Sequence, residues 1–256
     1  MCLLLLAVQK HPDYKLVLAA NRDEYYDRPT APAAFWEEAP HLLAGKDLRA
    51  GGTWLGITKQ GRIAAVTNYR DPASMKTSAP SRGKLVSRFL LGQENPEHFL
   101  EGLVPEKDRY NGFNLIVGEN DQLYWFSNRG DGAHRLSSGI YGLSNRLLDT
   151  PWPKLTRSKE TMARLISKQK NPSQDDLFQM LLDRTVADDN QLPDTGVGME
   201  WERILSPIFI MSPTYGTRSS TLILIDQHNR VTFTEKTFNA DPEHATSVVY
   251  EFQIHS

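Results

Sequence analysis

Cysteine is almost absent from this chain: one residue, Cys2, among 256. A lone cysteine forms no intrachain disulfide and cannot supply a multi-cysteine zinc or iron–sulfur site. A reducing compartment, and hence a cytoplasmic location, is the expectation. Long hydrophobic runs are missing too. No stretch reaches the roughly eighteen apolar residues of a membrane-spanning helix, so no transmembrane segment is expected. The opening MCLLLLAV has no basic flank, is broken by Gln9, Lys10 and His11, and precedes no small-residue cleavage site, which argues against a secretory leader. Charge of one sign is not in excess: 29 Lys and Arg face 31 Asp and Glu, for a formal net charge of −2. That balance gives no electrostatic reason to expect nucleic acid or an anionic membrane as partner.

The common cofactor signatures also fail. The chain has no GxxxxGK[ST], no GxGxxG after a strand, no HExxH and no GxSxG. Its histidines, at 11, 41, 98, 134, 228, 244 and 255, lack metal-ligand spacing, so no metal is expected.

What is present is an ordinary hydrophobic fraction of 39% on a chain long enough to bury a core. CLLLLAVQ and LVLAANRD flank the turn chemistry of HPDYK and read as a hairpin with much of it buried. TWLGITK and RIAAVTNY flank Gln60 and Gly61. FNLIVGENDQLYWFSN turns at ENDQ, STLILIDQHNRVTFTE repeats the habit, and SVVYEFQI adds a last strand. Helical spacing predicts helices in SRGKLVSRFLLG, in PWPKLTRSKETMARLISKQ and, with Ser173 as N-cap, in SQDDLFQMLLDR. The polar segment 186–198 reads as a loop. Strand hairpins alternating with groups of helices, without a solenoid repeat or low-complexity linker, predict an α+β layered domain of antiparallel sheets. One domain over 1–256 is the expectation.

Polar clusters end or interrupt the apolar strands: Asn21–Glu24 (NRDE), GGTWLG from Gly51, TNYRD from Thr67, GLSN ending at Asn145, and YGTRSST around Arg218. Taken singly, each is a turn former or a solvated charge. Trp54 in GGTW either fills core or walls a cleft. PSRGKLV reads first as a plain helix start; the alternative is a helix N-terminus whose backbone amides suit an anion.

Taken with Cys2, these clusters suggest chemistry. Removal of Met1 would place a thiol, with a reference pKa of about 8.5, beside an α-amine of about 7.7–8.0. Such an amine can accept the thiol proton near neutral pH. An aspartate could hold the amine, an arginine favours the thiolate, and asparagine amides can donate to a tetrahedral oxyanion.

The series MC, AANRDE, GGTWLG, TNYRD, SRG, NGFNL, GLSN followed by PWPK, and GTRSST resembles the NRDE family, also called the transport-and-Golgi-organisation protein 2 family. That family is similar to N-terminal-nucleophile (Ntn) hydrolases, so the resemblance implies a four-layer αββα sandwich. By comparison with bile salt hydrolases and penicillin V acylases it implies Cys2 as nucleophile and its amine as base. Asp23 would contact the amine, Asn68 and Asn145 would lie near the oxyanion, and Arg218 would be the late active-site arginine. Those hydrolases carry an arginine three residues before the aspartate. Here that position is Ala20, and Arg22, adjacent to Asp23, is the candidate in its place. Asn21, Glu24 and Trp54 complete the set as candidate binding residues. The implied substrate is a small-molecule amide or acylated metabolite, cleaved at a non-peptide C–N bond without a cofactor. The resemblance also implies an alternative: a non-catalytic carrier of haem or an acyl metabolite on the same fold.

Overall fold

The computed structural model describes residues 2–119, 121–167, 172–238 and 244–255, with Cys2 described by its backbone alone. Met1, on which the free-terminus expectation turns, lies outside the described residues. So do Asn120 of the ENDQ turn and the last two residues, 168 and 169, of the second expected helix.

The strands are Cys2–Val8 (β1), Tyr14–Tyr25 (β2), Thr30–Trp36 (β3), Ala39–Asp47 (β4), Leu55–Thr58 (β5), Ile63–Asn68 (β6), Phe113–Glu119 (β7), Gln122–Ser127 (β8), Ala133–Leu136 (β9), Gly139–Leu143 (β10), Tyr215–Asp226 (β11), Arg230–Thr237 (β12) and Thr246–Gln253 (β13). The helices are Gly83–Leu91 (α1), Pro96–Leu103 (α2), Pro153–Ser167 (α3), Gln174–Leu181 (α4) and Met199–Ile204 (α5). A six-stranded sheet runs β10-β1-β2-β11-β12-β13 and a seven-stranded sheet β3-β4-β5-β6-β7-β8-β9. Every pairing is antiparallel.

Three apolar layers explain the sequence pattern. In β1, Leu4, Leu6 and Val8 join Leu18, Ile57, Ile116, Ile223 and Phe233 between the two sheets. Leu3, Leu5 and Ala7 face Leu155, Met162 and Leu177 of α3 and α4. Successive strand residues alternate faces; because both faces of β1 are buried, it reads as one continuous apolar run. On the outer side of the second sheet, Leu85, Val86 and Phe89 of α1 and Phe99 of α2 pack on Leu42, Ala64 and Leu115. The result is the four-layer αββα sandwich expected for Ntn hydrolases. Ser173 caps α4 as anticipated, its hydroxyl accepting from the Asp176 amide.

The β3–β4 hairpin has no counterpart in the sequence expectation. Its register shifts between Ala31 and Ala34, around Pro32. A proline lacking an N–H is tolerated at such an irregularity on an edge strand. Among the described residues no helix is long and apolar enough to cross a membrane.

Candidate active site

Backbone register places Cys2 opposite Arg22, where β1 begins and β2 nears its end, and Arg22 is in turn paired with Ser219 of β11. At this end of the sandwich a cleft of about 280 Å³ opens, bounded by Arg22, Asp23, Glu24, Trp54, Asn68 and Gly83, among others. Five of the expected site residues (Arg22, Asp23, Glu24, Trp54 and Asn68) therefore share one wall system.

Strand alternation sorts the NRDE side chains. Arg22 continues the face of Leu18 and Ala20, between the sheets; its guanidinium carbon lies 4.2 Å from the centroid of the Trp54 ring. A guanidinium over an indole is an attractive pair. Arg22 is buried, and its Nη2 stands 4.0 Å from Glu24 Oε2. Trp54 thus meets both readings: it packs against the apolar layers and also walls the cleft.

Asp23 points the other way and is buried. Its Oδ1 accepts from Thr217 Oγ1 at 2.7 Å, while Thr217 Oγ1 itself accepts from the Ile210 amide at 2.9 Å. Burial raises the Asp23 carboxyl above the usual carboxylate range, and nearby Lys154, Thr217 and Arg22 oppose that rise. Lys154, at the first turn of α3, is buried with Nζ donating to the Leu205 carbonyl at 2.9 Å.

Three expected residues do not line the cleft. Asn21 lies on the helix-facing side of β2, where its Nδ2 donates to the carbonyls of Leu181 and Ile208, both at 2.9 Å. Its Oδ1 accepts from Ser220 Oγ at 2.6 Å. With both amide hydrogens and the carbonyl oxygen engaged, Asn21 ties β2 to the last residue of α4, to the segment after α5 and to β11. Asn145 is fully buried; it donates to the Asn68 carbonyl at 2.9 Å and accepts from Arg70 Nη2 at 3.5 Å. Arg218 sits in a break of the β2–β11 register between Thr217 and Ser219. Such a bulge re-aims its side chain, and Arg218 Nη1 donates to the carbonyls of Tyr25 and Arg28 at 2.8 and 3.0 Å.

Behind the cleft lies a second charged cluster. Arg70 Nη1 pairs with Glu202 Oε2, both side chains being buried. Glu202 Oε1 also accepts from the amide and hydroxyl of Thr195, at 3.0 and 2.5 Å. Arg70 lies 4.9 Å from the Trp152 ring centroid. Neither Lys154 nor the Arg70–Glu202 pair was anticipated as part of the site. For Lys154 a signal exists: with Ser158 and Met162 it falls on the buried stripe of α3 at i, i+4 spacing. Among the described residues no group of three or more His, Cys, Asp or Glu is arranged to hold a metal ion.

The fold has relatives of known structure. A mutant of conjugated bile acid hydrolase from Clostridium perfringens superposes with a TM-score of 0.55 at 7% identity, covering 100% of this chain and 97% of that one. A second variant of the same enzyme gives 0.51 at 9% identity over 99% and 97%. At such identities the likeness is one of fold. The transport and Golgi organization protein 2 homolog of Bos taurus is 38% identical over 95% of this chain and 94% of its own length. Its Drosophila melanogaster counterpart is 27% identical over 99% of each. The profile of the family described as Transport and Golgi organisation 2 matches residues 1–240, and the chain belongs to that family.

Proposed function

We propose that the protein is an N-terminal cysteine hydrolase acting on a non-peptide C–N bond of a small molecule. The observation that carries this reading is the register of Cys2 opposite Arg22, at the end of the sandwich where Arg22, Asp23 and Asn68 bound one cleft. The bile acid hydrolase named above shares the fold, which makes an amide substrate a chemically reasonable one.

The mechanism starts with removal of Met1. The freed α-amine of Cys2 takes the thiol proton, and the thiolate attacks the substrate carbonyl. The oxyanion that develops accepts a hydrogen bond from the Asn68 amide. The C–N bond breaks, the ammonium returns its proton to the leaving amine, and a thioester remains on Cys2. Water, deprotonated by the same amine, then attacks the thioester, releasing the acid and restoring the thiol. Asp23 orients the amine, with Thr217 and Lys154 holding the carboxylate in turn. Arg22, opposite Cys2, favours the thiolate.

One observation favours a second reading, a carrier that binds without turnover. Asn145 spends an amide hydrogen on the Asn68 carbonyl and does not line the cleft, while Asn111, which does, donates its amide to the Lys76 carbonyl; of the two asparagines expected near an oxyanion, Asn68 alone lines the cleft. The ligand would then be an acyl metabolite or haem. No histidine, methionine or tyrosine is among the described cleft-lining residues, so the Cys2 thiolate is the group that would hold haem there.

The deciding experiment is a screen of small amides and acyl conjugates against the Met1-processed protein and its Cys2→Ala variant. Release of free amine by the parent but not the variant supports the hydrolase. Equal release by both would remove it.

A further inference from the structure

We propose that the cleft carries an oxyanion-binding subsite, formed by the Arg22 guanidinium and the N-terminus of α1, and that its ligands therefore carry a carboxylate or phosphate group. The inference rests on reading this cleft as the ligand site.

The start of α1 lacks two features that α2 and α4 have. Its cap position is Arg82, which offers no side-chain acceptor, and its first turn holds no acidic residue. By contrast, α2 and α4 are capped by Asn95 and Ser173 and carry acidic residues in their first turns. The Lys84 and Leu85 amides already donate within the turn, to the carbonyls of Ser81 and Arg82 at 3.2 and 3.0 Å; the partial positive charge of the helix end, with no side-chain cap or first-turn carboxylate against it, attracts an anion. Backbone packing fixes where that end points. A Cβ on Gly52 would come within 2.6 Å of the Gly83 carbonyl carbon, and the Thr53 amide donates to the Gly83 oxygen at 3.3 Å. Gly52 of GGTW thus lets the chain press against the first residue of α1, and Ser81, Arg82 and Gly83 are part of the cleft wall.

Arg22 supplies the second, independent observation. Its side chain is 6% exposed, and it lines the same cleft. Its Nη1 is buried with no hydrogen-bond partner. A buried guanidinium nitrogen without an acceptor is costly, and an oxyanion in the cleft is the group that would satisfy it. The carboxylates nearby do not: Glu235, which feels the charge of Arg22, accepts from the Ala33 amide and the Thr221 hydroxyl. Asp47 accepts from Arg28 at 2.7 and 2.9 Å and from the amides of Arg49 and Ala50. Asp23 is turned toward Thr217, and Glu24 remains 4.0 Å from Arg22 and 3.8 Å from Arg28. A second cleft, of about 180 Å³, lies at the other end of the sandwich around Val8 and Leu16. Its cation, Lys15, is already partnered by Asp121 and Asn229.

The test is a titration of the parent protein with inorganic phosphate and, separately, with acetate, at constant ionic strength, followed by amide chemical shifts. The expected result is saturable movement of the Gly83 and Lys84 amides with at least one anion, weakened about tenfold or more in Arg22→Met. The anion that binds tighter names the ligand class. Arg22→Lys keeps the charge but loses the planar fork, so it should bind with intermediate affinity; it also carries the comparison if Arg22→Met does not fold. Shifts that stay linear with both anions, or saturation unchanged in the Arg22 variants, would overturn the proposal. Turnover plays no part in the measurement. Saturable binding to Cys2→Ala without amide cleavage by the parent removes the hydrolase and keeps the subsite, whereas cleavage of amides without saturable binding does the reverse.

Discussion

Asn145 donates its side-chain amide to the backbone carbonyl of Asn68 across 2.9 Å. The bond joins the residue that ends β6 in one sheet to a residue just beyond β10 in the other, and a backbone bond from the Arg70 amide to the Asn145 carbonyl, 2.8 Å, reinforces it. The two asparagines therefore differ in kind: Asn68 lines the cleft, while Asn145 clamps the sheets together behind it.

Substituting each should separate chemistry from stability. Asn68→Ala is expected to lower kcat on a cleaved amide by about 10²–10³ with little change in unfolding midpoint, because Asn68 sits half-buried on the cleft wall. Asn145→Ala should cost about 1–3 kcal/mol of stability, because it removes the donor to the Asn68 carbonyl and an acceptor from the buried Arg70 guanidinium. Steady-state kinetics and urea unfolding on both variants check the split. Equal losses of stability would contradict it.

The Arg70–Glu202 pair makes a different prediction. Glu202→Ala leaves a buried guanidinium without its charge partner and strands the Thr195 donors, so a loss of about 3–5 kcal/mol is expected. The double variant Arg70→Met, Glu202→Leu should recover much of that loss, since an apolar pair avoids the desolvation of both charges. Denaturant midpoints of the three proteins give the answer.

Glu235, on β12 between the sheets, should make stability depend on pH. Burial pushes its carboxyl up, against hydrogen bonds from the Ala33 amide and Thr221 hydroxyl. A carboxyl raised above its unfolded value of about 4.3 folds best protonated. Its contribution is full below that pH and declines as pH rises toward the folded value. Glu235→Gln keeps an oxygen for Ala33 and should flatten this decline. Asp23, raised in the same direction by its burial, adds to the decline, while the lowered carboxyls of Asp47 and Asp183 act against it. Unfolding free energies of the parent and of Glu235→Gln, measured from about pH 4 upward, check this, and a decline as steep in the variant as in the parent would contradict the assignment.

Gly52→Ala should destabilise by about 1–3 kcal/mol, because its Cβ meets backbone atoms of Gly83 and Lys84 at 2.6–2.9 Å. Gly102→Ala, with nothing within 4 Å of its Cβ, is the matched control and should leave the melting temperature near or above the parent value, as alanine favours a helix over glycine.

Much of the fold is legible in the sequence because periodicity reports burial. The β1–β2 and β11–β12 hairpins and the stripes of α1, α3 and α4 all follow from apolar spacing. The β3–β4 hairpin does not, since Pro32, Pro40 and the acidic Glu37–Glu38 turn interrupt its pattern. Within the site, the alternation that aims Arg22 at Trp54 turns Asn21 to the opposite face, so a contiguous NRDE motif divides between the cleft and the packing behind it. The Arg70–Glu202 pair joins residues 132 apart, a closeness that only the assembled sandwich creates.

The most direct measurement is the intact mass of the protein isolated from its native source. Ntn chemistry predicts a chain that begins at Cys2, its α-amine free to take the thiol proton. A chain that still begins at Met1 holds that nitrogen in an amide bond, where it cannot act as a base, and would contradict the proposed mechanism.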